Sequence, residues 1–182
     1  DSPRKEFIYV GDDGAVMAAL GEPGTPPEGL FFPDTYLFGK GTTDLEILRQ
    51  ARERMRHELD AAWATRAAGL PIQTPYEALI LASIVEKETG PKDDPGLVAA
   101  VFLNRLRIGM PLQTDPTVIY GLGEAFDGNL RKRDLQADTP WNTYVRDGLP
   151  PTPIAMPGAA STRPLRNRYA TPARSPASMR SA

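Results

Sequence analysis

Glu88 and Glu86, in the run ASIVEKET from Ala82 to Thr89, are two carboxylates whose spacing gives them different work. On a helix turning about 100° per residue, Leu81, Ile84 and Val85 fall within about 60° of Glu88, whereas Glu86 falls about 160° away. Glu86 is therefore expected to face water or a cationic partner, such as an arginine within Asn104 to Arg107. Glu88 shares a face with aliphatic side chains, and a desolvated carboxyl there is biased toward its protonated form. A carboxylic acid in that state is a general acid near neutral pH. The plainer alternative is a solvated acid at a fraying helix end, because Gly90 and Pro91 follow at once.

Other chemistries lack their residues. There are no cysteines, which excludes disulfides, a thiol nucleophile and thiolate metal sites. The only histidine, His57, lies in a charged stretch (Arg52, Glu53, Arg54, Arg56, Glu58) and reads as a solvated surface residue. Zinc hydrolysis and Ser-His-Asp catalysis are left without a residue set, and no glycine loop of the phosphate-binding kinds is present. No metal or cofactor is expected. What remains is carboxylates, amides, hydroxyls and aromatic rings, the tools with which proteins bind sugar hydroxyls, cover sugar rings and protonate glycosidic oxygens.

Helix signals say what holds these groups in place. Thr43 and Glu46 form a capping box, after which Leu48, Ala51, Met55, Leu59, Ala62 and Trp63 recur at helical spacing until Gly69. Thr74, Pro75 and Glu77 fill the cap, first and third positions of a second helix, with Glu88 at its far end. A third helix is predicted from Asp94 and Pro95 to about Ile108, with Val98, Val101, Phe102 and Leu106 inward and Gly109 ending it. Leu112 to Gly121 reads as a short extended segment turning at Asp115 and Pro116 into a brief helix, and Arg131 to Leu135 as helical. Asn142 to Val145 is expected to be extended, Phe7 to Val10 β-prone, and Asp13 with Gly14 a turn. The aromatics of EGLFFPDTY, Glu28 to Tyr36, either pack on the core or form a platform for a ligand.

A chain of 182 residues with 41% hydrophobic content carries one main core. A net charge of −2 gives no reason to expect a nucleic-acid partner. The longest apolar run, Ala78 to Ala82, is much too short to cross a bilayer. A start at Asp1 rather than at methionine is expected of a fragment whose targeting segment lies upstream.

Five segments in collinear order carry a resemblance: EGLFFPDTY, ASIVEKET, NRLRIGMPLQTDPTVIYG (Asn104 to Gly121), NTY (Asn142 to Tyr144) and GLPPTPIAMPG (Gly148 to Gly158). Across roughly Glu28 to Ala160 the chain resembles the endolytic murein transglycosylases, the YceG-like family. The resemblance implies an α+β, mainly α fold, with a lysozyme-like helical catalytic core and short strands. It also implies a lyase that cuts the β-1,4 bond between N-acetylmuramic acid and N-acetylglucosamine in nascent peptidoglycan strands, leaving 1,6-anhydro ends. The glutamate directly before Thr in the EKET run is the family's catalytic one, here Glu88, with Thr89 beside it. By the same analogy Thr89, Gln113, Asp115, Asn142 and Tyr144 bind or orient substrate, and Glu86 gives structural support. For Asp115, a helix cap ahead of Pro116 is an equal alternative.

The implied partners are glycan strands and, nearby, cell-wall synthases, at the extracytoplasmic face of the bacterial inner membrane. Contact with that membrane would come only through an N-terminal anchor outside this sequence. Two alternatives stand beside the lyase: an inactive peptidoglycan-binding or scaffold fragment, and a water-using muramidase-type glycosidase. Three regions are expected: 1–27 as an N-terminal remnant and linker, 28–160 as the catalytic domain, and 161–182 as a divergent, disordered tail. The tail holds Arg163, Arg166, Arg168, Arg174 and Arg180 and no acidic residue. Its abrupt departure from the family pattern predicts a shifted reading frame or truncation near Ser161.

Overall fold

A computed structural model describes residues 12–163. Seven α-helices follow in order: α1 (Asp13–Ala19), α2 (Asp44–Ala64), α3 (Pro75–Glu88), α4 (Pro95–Arg107), α5 (Asp115–Leu122), α6 (Lys132–Leu135) and α7 (Ala159–Thr162). A 3-10 turn, Gly123–Ala125, follows α5. The fold is mainly helical, and among the described residues the expected short strands are absent, with only an isolated bridge at Arg66. Asn142 to Val145, expected to be extended, is a turn, because the Asn142 carbonyl accepts from the amides of Val145 at 3.3 Å and Arg146 at 3.0 Å. The β-prone Phe7 to Val10 lies outside the described residues.

α3 is the centre of the packing, since every residue from Ala78 to Val85 is buried. A helix apolar on all sides must be surrounded, and α2, α4, α5 and α7 all pack on it. Leu81, Ile84 and Val85 are fully buried, each contributing about 1.5–3 kcal/mol by leaving water. The only polar residue in that run, Ser83, is also fully buried and bonded on both sides. Its hydroxyl donates to the Ile80 carbonyl at 2.7 Å and accepts the Ile154 amide at 3.0 Å, which fastens the proline-rich loop to the helix.

The helix ends follow their caps. The Thr43 hydroxyl accepts the Glu46 amide while the Glu46 carboxylate accepts the Thr43 amide, and Thr74 accepts the amide of Glu77. At the end of α4, Met110 N donates to the Arg105 carbonyl at 2.8 Å and Gly109 N to that of Leu106 at 3.3 Å. This is a Schellman closure, and Gly109 meets its left-handed requirement at φ 67°. The faces shift slightly from the predicted ones. Ile47 rather than Leu48 opens the buried stripe of α2, and Val101 is exposed while Ala99 and Leu103 point inward.

Buried residues occur on both sides of the expected catalytic region. Asp13 and Gly14 are not a turn but the start of α1, because Asp12 accepts the Gly14 amide at 3.1 Å. Met17 on that helix is fully buried and packs with Leu30, Phe32, Met55 and Leu79, so part of region 1–27 belongs to the core. Phe32 resolves the open reading of the EGLFFPDTY aromatics in favour of packing. At the other end Ser161 and Thr162, placed in the tail by sequence, are buried in α7. The rest of the tail lies outside the described residues. No helix among the described residues is long and apolar enough to cross a membrane.

Candidate active site

Glu88 is the last residue of α3, where the helix leaves the core. Its aliphatic face-mates are fully buried, as the wheel predicts, but Glu88 itself is half-buried because nothing continues the core past the helix end. Its Oε1 accepts a hydrogen bond from the Thr114 hydroxyl. Thr114 comes from the short segment between α4 and α5, and that segment is pinned from two sides. The Arg105 guanidinium donates to the Leu112 carbonyl, and the Gln113 amide donates to the Thr143 carbonyl at 3.0 Å. Gln113 is held at φ 51°, a left-handed conformation that costs a residue with a side chain about 1 kcal/mol or more.

Asp115 opens α5 and is not its cap. Its Oδ1 accepts the Tyr144 hydroxyl at 2.6 Å. That bond, then burial, then the negative charges of Asp115 and Glu88, push the Tyr144 phenol up to about 12, with Arg105 acting in the opposite direction. Glu88, Asp115, Tyr144 and Arg105 thus share one electrostatic neighbourhood, although they come from four separate segments. The structure brings together the two acids and the tyrosine that the sequence singled out.

Three other site residues are bonded within the fold. Asn142 is fully buried. Its amide nitrogen donates to the carbonyls of Asp134, Leu135 and Ala137, and its oxygen accepts the Tyr144 amide at 2.9 Å. Asn142 has no exposed atom for a sugar, so direct substrate binding gives way to orientation of Tyr144. The Thr89 hydroxyl donates to the Val85 carbonyl at 2.7 Å and closes the last turn of α3. Glu86 pairs with neither Arg105 nor Arg107, which bond Leu112 and Asn104 instead. It accepts from the Gly158 amide at 3.0 Å and the Ser161 hydroxyl at 2.6 Å, because the chain folds α7 across that side of α3. Gln113 keeps its side chain exposed beside the cluster.

Sequence reasoning passed over Thr114, Thr117, Thr143, Arg105 and Glu28. Thr114 and Thr117 sit inside LQTDPTVIYG, but no spacing rule marks a threonine whose partner lies 26 residues away. Glu28, from EGLFFPDTY, is a half-buried carboxyl beside the Tyr120 phenol, which itself packs edge-on against Trp141. Burial raises its pKa above 4.5, against the opposing pull of the Lys87 ammonium and the Tyr120 hydroxyl. A folded carboxyl with a raised pKa binds its proton more tightly than the unfolded chain does. Its contribution is fully present below about 4.5 and is lost as pH rises through the folded value. Glu28→Gln cannot ionise, so its Tm should gain on the parent's between about pH 4 and about pH 7. A Tm difference that stays flat over that range would contradict this.

A cleft of about 470 Å³ opens at the opposite end of α3, bordered by Tyr76, Glu77, Leu106 and Pro150 among others. None of the residues around it belongs to the Glu88 cluster. Among the described residues no group of His, Asp or Glu is arranged to hold a metal ion.

Comparison with known proteins adds three findings. Residues 5–170 match the model of the YceG-like family. An endolytic murein transglycosylase of Bacillus subtilis (strain 168) is 40% identical over 136 residues, which covers 75% of this chain and 37% of that protein. One from Streptococcus pneumoniae serotype 2 (strain D39) is 33% identical over 135 residues, covering 71% of this chain and 24% of the relative. The chain therefore spans well under half the length of these relatives. The crystal structure of a YceG-like protein from Listeria monocytogenes superposes with a TM-score of 0.63 at 31% identity, covering 85% of this chain and 54% of that one.

Proposed function

This chain belongs to the YceG-like family, and on that footing we propose that it is the catalytic part of an endolytic peptidoglycan lytic transglycosylase with Glu88 as its acid and base. The carrying observation is the meeting of Glu88 with Thr114, Asp115 and Tyr144 at the open end of α3. Protonated Glu88 gives its proton to the glycosidic oxygen between N-acetylmuramic acid and N-acetylglucosamine as the C1–O bond breaks. The resulting carboxylate then takes the proton of the muramyl C6 hydroxyl while O6 bonds to C1. The products are a free N-acetylglucosamine end and a 1,6-anhydro-muramyl end, and no water is consumed.

One carboxyl acting twice explains why no second acid at hydrolase separation is required. Asp115 then has two roles: its charge opposes the positive charge that develops on the sugar ring, and its Oδ1 aims the Tyr144 phenol. Gln113, exposed beside the cluster, and Thr89 contact the strand, while Asn142 sets Tyr144. On this reading the substrate lies outside the cytoplasmic membrane, and the synthases that make the strand are the partners expected nearby.

Incubation with purified glycan strands followed by mass spectrometry is the test. Anhydro-muramyl ends, lighter than reducing ends by one water, are the expected products. Reducing ends would indicate a hydrolase, and intact strands a binding or scaffold fragment; either result contradicts the proposal.

A further inference from the structure

Thr114 occupies the position where a threonine normally caps a helix, yet its hydroxyl makes no cap bond to α5. Capping is worth about 1 kcal/mol, and Thr114 forgoes it to donate to Oε1 of Glu88. The threonine has little freedom to do otherwise. It is 2% exposed, and the Thr143 hydroxyl accepts its backbone amide at 3.2 Å. The Thr117 hydroxyl bonds its carbonyl at 2.7 Å and lies 2.8 Å from the hydroxyl of Thr143. Thr117 and Thr143 are buried as well, so three hydroxyls form a dry brace behind the one carboxylate oxygen.

We propose that Thr114 is a positioning residue that fixes the orientation of the Glu88 carboxyl, leaving Oε2 as the oxygen that gives up and regains the proton. The proposal rests on Glu88 being the acid and base of the cleavage. A hydroxyl donor suits both states of the cycle. It donates to the carbonyl-like Oε1 when Oε2 carries the proton, and to the carboxylate when it does not. Without that donor the carboxyl rotates about its last bond, and the proton points at the glycosidic oxygen only part of the time. The loss falls on turnover rather than on strand binding, because Thr114 is buried and offers no surface to the sugar.

Thr114→Val keeps the shape and removes the donor, whereas Thr114→Ser keeps the donor. On purified glycan strands, T114V should lower kcat roughly 10- to 100-fold with KM within about two-fold of the parent, and T114S should retain kcat within about three-fold. Thermal melting run alongside shows whether each variant is folded. If T114V does not fold, Thr114→Cys replaces it as a weak donor of similar size, with kcat expected between those of T114S and an inactive protein. Parental kcat in folded T114V, or in T114C where that replaces it, overturns the Thr114 assignment alone. A parent that leaves strands uncut, or a Glu88→Gln variant that still cuts them, overturns the underlying function and this assignment with it.

Discussion

Glu88→Gln should lower glycan cleavage by about a thousandfold or more while leaving the fold in place. The amide has the size and nearly the shape of the carboxyl, and its oxygen still accepts the Thr114 hydroxyl, so the contact that closes the site survives. What disappears is the proton. Neither donation to the leaving oxygen nor recovery from the C6 hydroxyl is open to an amide, so both halves of the reaction fail together. The half-buried position at the end of α3 predicts a Tm within a few degrees of the parent's. Turnover and melting measured on one preparation decide the matter: full activity in a folded variant removes Glu88 from the chemistry. Glu86→Gln should cost less turnover, since Glu86 holds α7 rather than facing Tyr144.

The second large effect is on stability. Asn142→Asp keeps the acceptor for the Tyr144 amide but replaces a donor with an oxygen facing the carbonyls of Asp134, Leu135 and Ala137. Three half-buried carbonyls lose the Asn142 donor and meet a negative charge inside the fold instead, which should cost about 3–4 kcal/mol. Urea unfolding at neutral pH reads this as a lower midpoint. A change below about 1 kcal/mol would show that water or a backbone shift satisfies those carbonyls. The same variant should impair cleavage, because the turn that carries Tyr144 toward Asp115 is built on this side chain.

The helices were legible because their signals are local. Thr43 with Glu46, Thr74 with Pro75, Asp94 with Pro95 and the terminating Gly109 each act within one turn, and all appear where the sequence places them. The side of α3 that carries Glu88 was legible for the same reason, since periodicity is a property of neighbours. The degree of its burial was not, because burial depends on what the chain lays over the helix end. The partners of Asn142, Thr114 and Glu86 were not legible for one shared reason. They are backbone groups, hydroxyls or, for Thr114, a carboxylate brought in by the fold, and for Glu86 they lie 72 and 75 residues along the chain. An asparagine that holds a turn from inside looks the same in sequence as one that holds a sugar. The expected strands failed where a side chain, Asn142, offers the backbone a turn in place of a neighbouring strand.

The bonds from Glu86 to Gly158 and Ser161 also set an order of events during biosynthesis. A nascent chain emerges from the ribosome N-terminus first, and α3 is complete long before its strap exists. Until Ser161 has cleared the exit tunnel, Glu86 lacks the partners that tie its turn of α3 to α7. The end of the helix that bears the reactive carboxyl is thus completed only once α7 has emerged, so a polypeptide still being translated carries its acid on an unfinished support.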